Sequence, residues 1–87
     1  MKTFKDLQFS SPKNEYDIER SKIHFPNGYG VSVIRGSGTY GYREGLYELA
    51  ILYGGDITYN TGIAEDVIGH LDEDGVSDIM AQVQELL

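Results

Sequence analysis

An α+β fold, with one four-stranded antiparallel sheet (a meander) packed by C-terminal helices, is predicted by three observations on this 87-residue chain. Apolar and polar residues alternate along successive stretches between Ser21 and Asn60. Short turn-forming sequences separate those stretches, and after Gly62 the apolar spacing changes from two to three and four. A chain of this length is expected to form a single domain over 1–87: an irregular segment 1–19, a β-sheet over 20–60 and a helical part over 62–87.

In the first segment, Phe4, Leu7 and Phe9 could anchor a short element on the core, "SSPKNEYD" reads as a loop, and the domain proper begins near Arg20. Next comes a hairpin signal. Ile23 and Phe25 alternate with Lys22 and His24; Tyr29, Val31 and Val33 alternate with Gly30 and Ser32. Pro26-Asn27-Gly28 lies between, one residue pre-set for a turn and two that tolerate positive φ, so strands are expected at 21–25 and 29–35.

"GLYELAILY" predicts a third strand, with Tyr47, Leu49, Ile51 and Tyr53 on one face and Leu46, Glu48, Ala50 and Leu52 on the other. Gly54-Gly55-Asp56 turns the chain into a short fourth strand, "ITYN", whose Ile57 and Tyr59 are expected to face inward. Beyond Gly62, Ile63, Val67, Ile68 and Leu71 suit one or two helical turns. Asp72 fits an N-cap, with Glu73 and Asp74 well placed for the helix dipole. Val76, Ile79, Met80, Val83 and Leu86 or Leu87 then form the apolar stripe of a helix of about 14 residues.

The totals exclude several function classes. There is no cysteine, so disulfides, thiolate nucleophiles and cysteine-ligated zinc are removed together. "MKTFKDLQFSS" has no apolar run of the kind a secretory signal needs, and no window suits a membrane span. The net charge of −7 is unevenly distributed. All seven cations lie in the first 43 positions with four acids, giving about +3; from Glu44 onward there are ten acids and no lysine or arginine, giving about −10. Such an acidic half repels phosphates, disfavours direct nucleic-acid binding and favours a basic partner, although surface acids also serve solubility alone.

"GSGTYG" at Gly36–Gly41 matches the G-x-G-x-x-G of phosphate-binding loops. A dinucleotide site needs a helix after the glycines, and here another strand follows; a kinase loop needs a lysine on that strand, and "LYELAILY" has none. What remains is a long connection from Gly36 to Gly45 carrying Tyr40, Tyr42 and Arg43, residue types enriched at binding hot spots. It reads either as a recognition loop or as a connector.

Asp72-Glu73-Asp74-Gly75 has its glycine too early for an EF-hand, and Val83 stands where the bidentate Glu belongs. His24 and His70 have no metal-site spacing, and none of the serines sits in a G-x-S-x-G elbow. No enzyme activity, cofactor or metal is therefore expected.

"FPNGYGVSVIRG", "LYELAIL" and "ITYNTGIAEDVIGHLDEDGVSDIMAQVQEL" resemble a group of small tailed-phage and prophage proteins with the pattern F-x-N-G-Y-G-x-S-V followed by Y-E-L-A-V-L. The resemblance covers about residues 21–87 and implies a phage origin and a setting in the host cytoplasm. It carries over no catalytic or binding residue. The expected function is that of a non-enzymatic acidic protein that binds and modulates, by inhibition, a host or defence protein with a basic surface. Its expected contacts are Tyr40, Tyr42, Arg43, Glu65, Asp66, Asp72, Glu73 and Asp74. The alternative is a structural or self-associating small phage protein without catalytic activity, which an exposed sheet edge or an apolar second sheet face (Leu46, Ala50, Leu52) would support, and a homodimer is open.

Overall fold

The two hairpin turns set the architecture, because each fixes the register of the strands it joins. In the computed structural model, which describes residues 1–10, 18–36, 45–63 and 67–86, β1 (Glu19–His24) and β2 (Tyr29–Arg35) pair antiparallel. Gly28 closes their turn at φ +90, with its N–H donating to the Phe25 carbonyl at 3.1 Å. This is a three-residue loop ending in a left-handed residue, a geometry that admits glycine readily. The second turn, Gly54-Gly55, has positive φ at both positions and joins β3 (Tyr47–Tyr53) to the two-residue β4 (Asp56–Ile57).

The sheet runs β1-β2-β3-β4, and a fifth strand, β5 (Ile68–Leu71), pairs antiparallel with the other end of the same β3 edge. One helix, α1 (Glu73–Gln84), packs on the sheet. The α+β class and the antiparallel sheet hold. Among the described residues there is one C-terminal α-helix rather than several.

β5 replaces the helical turns expected over Ile63, Val67, Ile68 and Leu71, so the helical part does not begin at 62. β4 covers only Leu52 and Tyr53, leaving the edge of β3 open for Tyr47–Leu49. β-branched Val67 and Ile68 with Gly69 are poor helix formers and complete that edge instead. Between Tyr47↔Leu71 and Leu49↔Ile68 the register shifts as in a bulge, with His70 at φ +58.

The helix-side face of the sheet forms the core. Val31, Val33, Leu49 and Ile51 meet Val76, Met80 and Val83, all at most 3% exposed, with Phe25 and Leu7 at the margins. Ile79 and Leu86 pack against this core, so the expected stripe is the one used. The short element expected around Phe4, Leu7 and Phe9 is present and packs on the core. Phe4–Asp6 forms a 3-10 turn, and Phe4 and Phe9 close on Tyr47 with ring centroids 5.1 and 5.6 Å away. The Phe4 N–H donates to Ser77 Oγ at 3.0 Å, tying this turn to α1.

Of the tyrosines on the alternating strand faces, Tyr29, Tyr47, Tyr53 and Tyr59, only the first two contribute to the core. Tyr47 is buried and Tyr29 half-buried, but Tyr53 and Tyr59 are 56% and 49% exposed. Ile57 is also exposed, at 50%. The Gly54-Gly55 turn pairs Tyr53 with Asp56 and hence Leu52 with Ile57, so Ile57 shares the face turned away from the helix.

Asn27, at the tip of the first hairpin, holds the end of α1. Its Nδ2 donates to the carbonyls of Val83 and Leu86 at 3.0 Å and of Gln84 at 3.4 Å, and its Oδ1 accepts from the Tyr29 N–H at 3.0 Å. The last turn of α1 contains no cation, and this one amide supplies further donors to the carbonyls at the helix end, where the Val83 carbonyl also accepts from the Leu86 N–H at 3.2 Å.

Candidate functional site

Charge and shape divide the molecule into two different surfaces. On the helix side, Asp72 is the N-cap: its backbone is extended and its Oδ1 accepts from the Gly75 N–H at 2.7 Å. That confirms the capping expected of it and gives this carboxylate a structural task. Glu73 and Asp74 follow in the first turn, where the helix dipole favours anions.

Because α1 buries Val76, Met80 and Val83, a rotation of about 100° per residue puts Asp74, Asp78 and Glu85 on the opposite side, within about 40° of one another. All three are exposed, and they span about 16 Å of the helix. They form an acidic ridge. Asp78 and Glu85 were not among the contacts expected from sequence, yet their spacings of four and eleven from Asp74 are the same signal that marks the apolar stripe.

The expected contact residues are only partly brought together. Asp72, Glu73 and Asp74 are contiguous and exposed at the start of α1. Tyr40, Tyr42, Arg43, Glu65 and Asp66 lie outside the described residues. The second-half acids do not all share one side either. Glu48 lines the opposite face of the sheet, and Asp56 sits at the β3–β4 turn. The first-half cations are divided in turn. The backbone of Lys2 is bonded to the Gln84 side chain on α1, by an N–H···Oε1 bond of 2.8 Å and an Nε2–H···O bond of 2.7 Å. Among the described residues, the one ion pair joins Arg35 to Glu19 at 3.1 Å, and no described lysine or arginine is paired with the ridge.

The second surface is the face of the sheet that α1 does not cover. Across the strands, Arg20, Ile34 and Glu48 stand in one row; Lys22, Ser32 and Ala50 in the next; His24, Gly30, Leu52 and Ile57 in a third. Two adjoining hollows of about 140 and 180 Å³ lie on this face and share Arg20, Ser32 and Ile57. Their floor is mostly aliphatic, with Arg20 and Lys22 along the β1 side. Leu52 is 2% exposed even though it points away from the helix. In the alternation read from sequence this was simply the second face of the third strand; pairing with β1 and β4 is what adds cations at one margin and Ile57 at the other.

Among the described residues, no three His, Asp or Glu side chains are grouped to hold a metal ion, and His24 and His70 are both exposed. Burial pushes the Tyr47 phenol above its ordinary value of 10.0, opposed by Arg35, whose guanidinium stands 4.9 Å from the ring centroid. This tyrosine belongs to the aromatic cluster around Phe4 and Phe9. Among the described residues the element that follows β2 is its antiparallel neighbour β3, where a dinucleotide site has a helix. Among the described residues no helix is long and apolar enough to cross a membrane. Compared with protein-family models, with curated proteins and with solved structures, the chain matches none of them.

Proposed function

We propose that this chain is a non-enzymatic, phage-type acidic protein that binds a host or defence protein through a basic patch and inhibits it. The observation that carries this reading is the ridge of Asp74, Asp78 and Glu85: exposed, aligned, and unpaired with any cation among the described residues. Carboxylates held on a rigid helix attract a complementary surface at no further ordering cost to the backbone, and such attraction speeds encounter more than it deepens affinity. Asp72 and Glu73 add exposed carboxylates beside the ridge at the start of α1, and Tyr40, Tyr42, Arg43, Glu65 and Asp66 are the remaining proposed contacts. The phage and host-cytoplasm part of the proposal is supported by the sequence pattern described above. The same negative surface opposes direct binding to nucleic acid, and no membrane partner is proposed.

The test is capture from a bacterial lysate by the tagged protein and by its D74N/D78N/E85Q variant, each at low and high salt. The proposal expects a basic protein that the wild type retains at low salt, loses at high salt, and that the variant fails to retain. Capture that is indifferent to both salt and charge removal refutes it.

A further inference from the structure

The tip of the first hairpin places an asparagine directly before a glycine, Asn27-Gly28. A glycine has no Cβ to shield its backbone nitrogen, so that nitrogen reaches the side-chain carbonyl carbon of a preceding asparagine with little obstruction. The turn itself calls for this glycine: Gly28 sits at φ +90, and a Cβ there would meet the Tyr53 ring at 3.3 Å. The fold also holds the reacting pair closed. The Gly28 N–H is engaged with the Phe25 carbonyl at 3.1 Å. The half-buried Asn27 amide donates to the carbonyls of Val83, Gln84 and Leu86, and its Oδ1 accepts from the Tyr29 N–H. Attack must break bonds on both partners. The Gly28 nitrogen has to lose the proton it gives to Phe25, and Nδ2 has to leave the three carbonyls it serves.

We propose that Asn27-Gly28 is a covalent modification site, where spontaneous deamidation is gated by the docking of the hairpin tip on the end of α1. When the tip opens, hydroxide or water takes the Gly28 amide proton, and the electron pair of that nitrogen forms a bond to Asn27 Cγ. The Cγ–Nδ2 bond breaks, and Nδ2 leaves as ammonia with a proton from water. Water then opens the resulting succinimide at either of its carbonyls, leaving aspartate or isoaspartate at position 27. Overall a water is consumed and an ammonia released, with no oxidation or reduction. The change runs one way. Its product has no N–H donors for the Val83, Gln84 and Leu86 carbonyls, and it sets a carboxylate against them at the negative end of the helix dipole. Isoaspartate also adds a carbon to the main chain inside a turn whose length fixes the β1–β2 register. Each opening that ends in reaction therefore hinders re-docking, and the site acts as a timer on the lifetime of the folded chain. The inference rests on the Asn27 cap and is independent of the acidic ridge.

Peptide mass mapping of the purified chain, aged at mildly alkaline pH in native buffer and in urea, tests this. The reference is Asn60-Thr61, where a β-branched neighbour obstructs the same attack. In urea, Asn27 is expected to convert well ahead of Asn60. In native buffer its conversion is expected to be slower by about tenfold or more, because the cap must open first. Leu86→Ala trims a side chain that packs the end of α1 on the core, so it should speed conversion in native buffer severalfold and leave the rate in urea unchanged. Circular dichroism shows whether that variant is folded. Gly28→Ala is compared in urea alone, where no fold is needed, and should slow conversion at Asn27 by about tenfold. The converted chain, separated from the parent by its added negative charge and returned to native buffer, should melt at a lower temperature. Conversion as fast in the folded chain as in the unfolded one overturns the inference. So does an Asn27 no faster than Asn60 in urea, a Gly28→Ala chain as fast as the parent there, a folded Leu86→Ala variant with the parent's native rate, or a converted chain as stable as the parent.

Discussion

Replacing Asn27 separates a turn residue from a helix cap. Its side chain donates at 3.0 Å to the carbonyl of Val83 in the last turn of α1 and to that of Leu86 just beyond it, at 3.4 Å to that of Gln84, and accepts from the Tyr29 N–H at 3.0 Å. At about 1 kcal/mol net for each good bond, with water reaching part of this half-buried site, Asn27→Ala is expected to cost about 2 kcal/mol. For a domain of this size that lowers Tm by roughly 8–16 °C. Asn27→Asp is the sharper probe. Aspartate keeps the acceptor for the Tyr29 N–H and serves well in turns. It loses the donor, however, and sets a negative charge against carbonyl oxygens at the negative end of the helix dipole, so the expected cost rises to about 3 kcal/mol. Urea unfolding followed by circular dichroism gives both values. If Asn27→Asp proves as stable as Asn27→Ala, or if either loses less than about 0.5 kcal/mol, the assignment of Asn27 as the cap of α1 is refuted.

The other expected outcomes concern the sheet, the first turn of the helix and pH. Gly30→Ala places a Cβ 2.4 Å from the Ile23 carbonyl oxygen, which is backbone and cannot swing aside, so a loss of about 1–3 kcal/mol is expected in the same unfolding assay. Asp72→Ala removes the bond to the Gly75 N–H and should cost about 1 kcal/mol, whereas Asp72→Asn, an equally good cap, should cost little. The phenol of Tyr47 is held above its ordinary value of 10.0 by burial, so the unfolded chain loses that proton first as pH rises. The folded state then binds the extra proton, and stability should fall with pH above about 10. Tyr47→Phe should flatten that decline in thermal melts recorded across the alkaline range; an unchanged slope contradicts the account of Tyr47.

Much of the fold was legible because local signals agreed with one another. Pro26-Asn27-Gly28 fixed the first hairpin, alternation gave β2 and β3, and Asp72 with its i, i+4 stripe gave α1. The errors arose where pattern was read without register. Ile57 was expected to face inward from alternation within "ITYN", yet counting back through the two-residue Gly54-Gly55 turn pairs it with Leu52 and sends it outward. β5 was not legible as a strand, because four residues containing Gly69 and a left-handed His70 show no alternation; only the open edge of β3 makes a strand of them. The acidic ridge was half legible. The run Asp72-Glu73-Asp74 drew attention as a cluster, while Asp78 and Glu85 needed the helical spacing to be applied to the polar side as well.

The account of function rests on the ridge of α1 steering a basic partner into contact. The measurement that bears on it most directly is the association rate constant with the captured partner as a function of ionic strength, for the wild type and for D74N/D78N/E85Q. The wild-type rate should fall steeply as the Debye length shrinks to about 8 Å near physiological salt, and the variant should start slower and depend only weakly on salt. Equal rates and equal salt slopes for the two proteins would contradict the claim that this ridge is the docking surface.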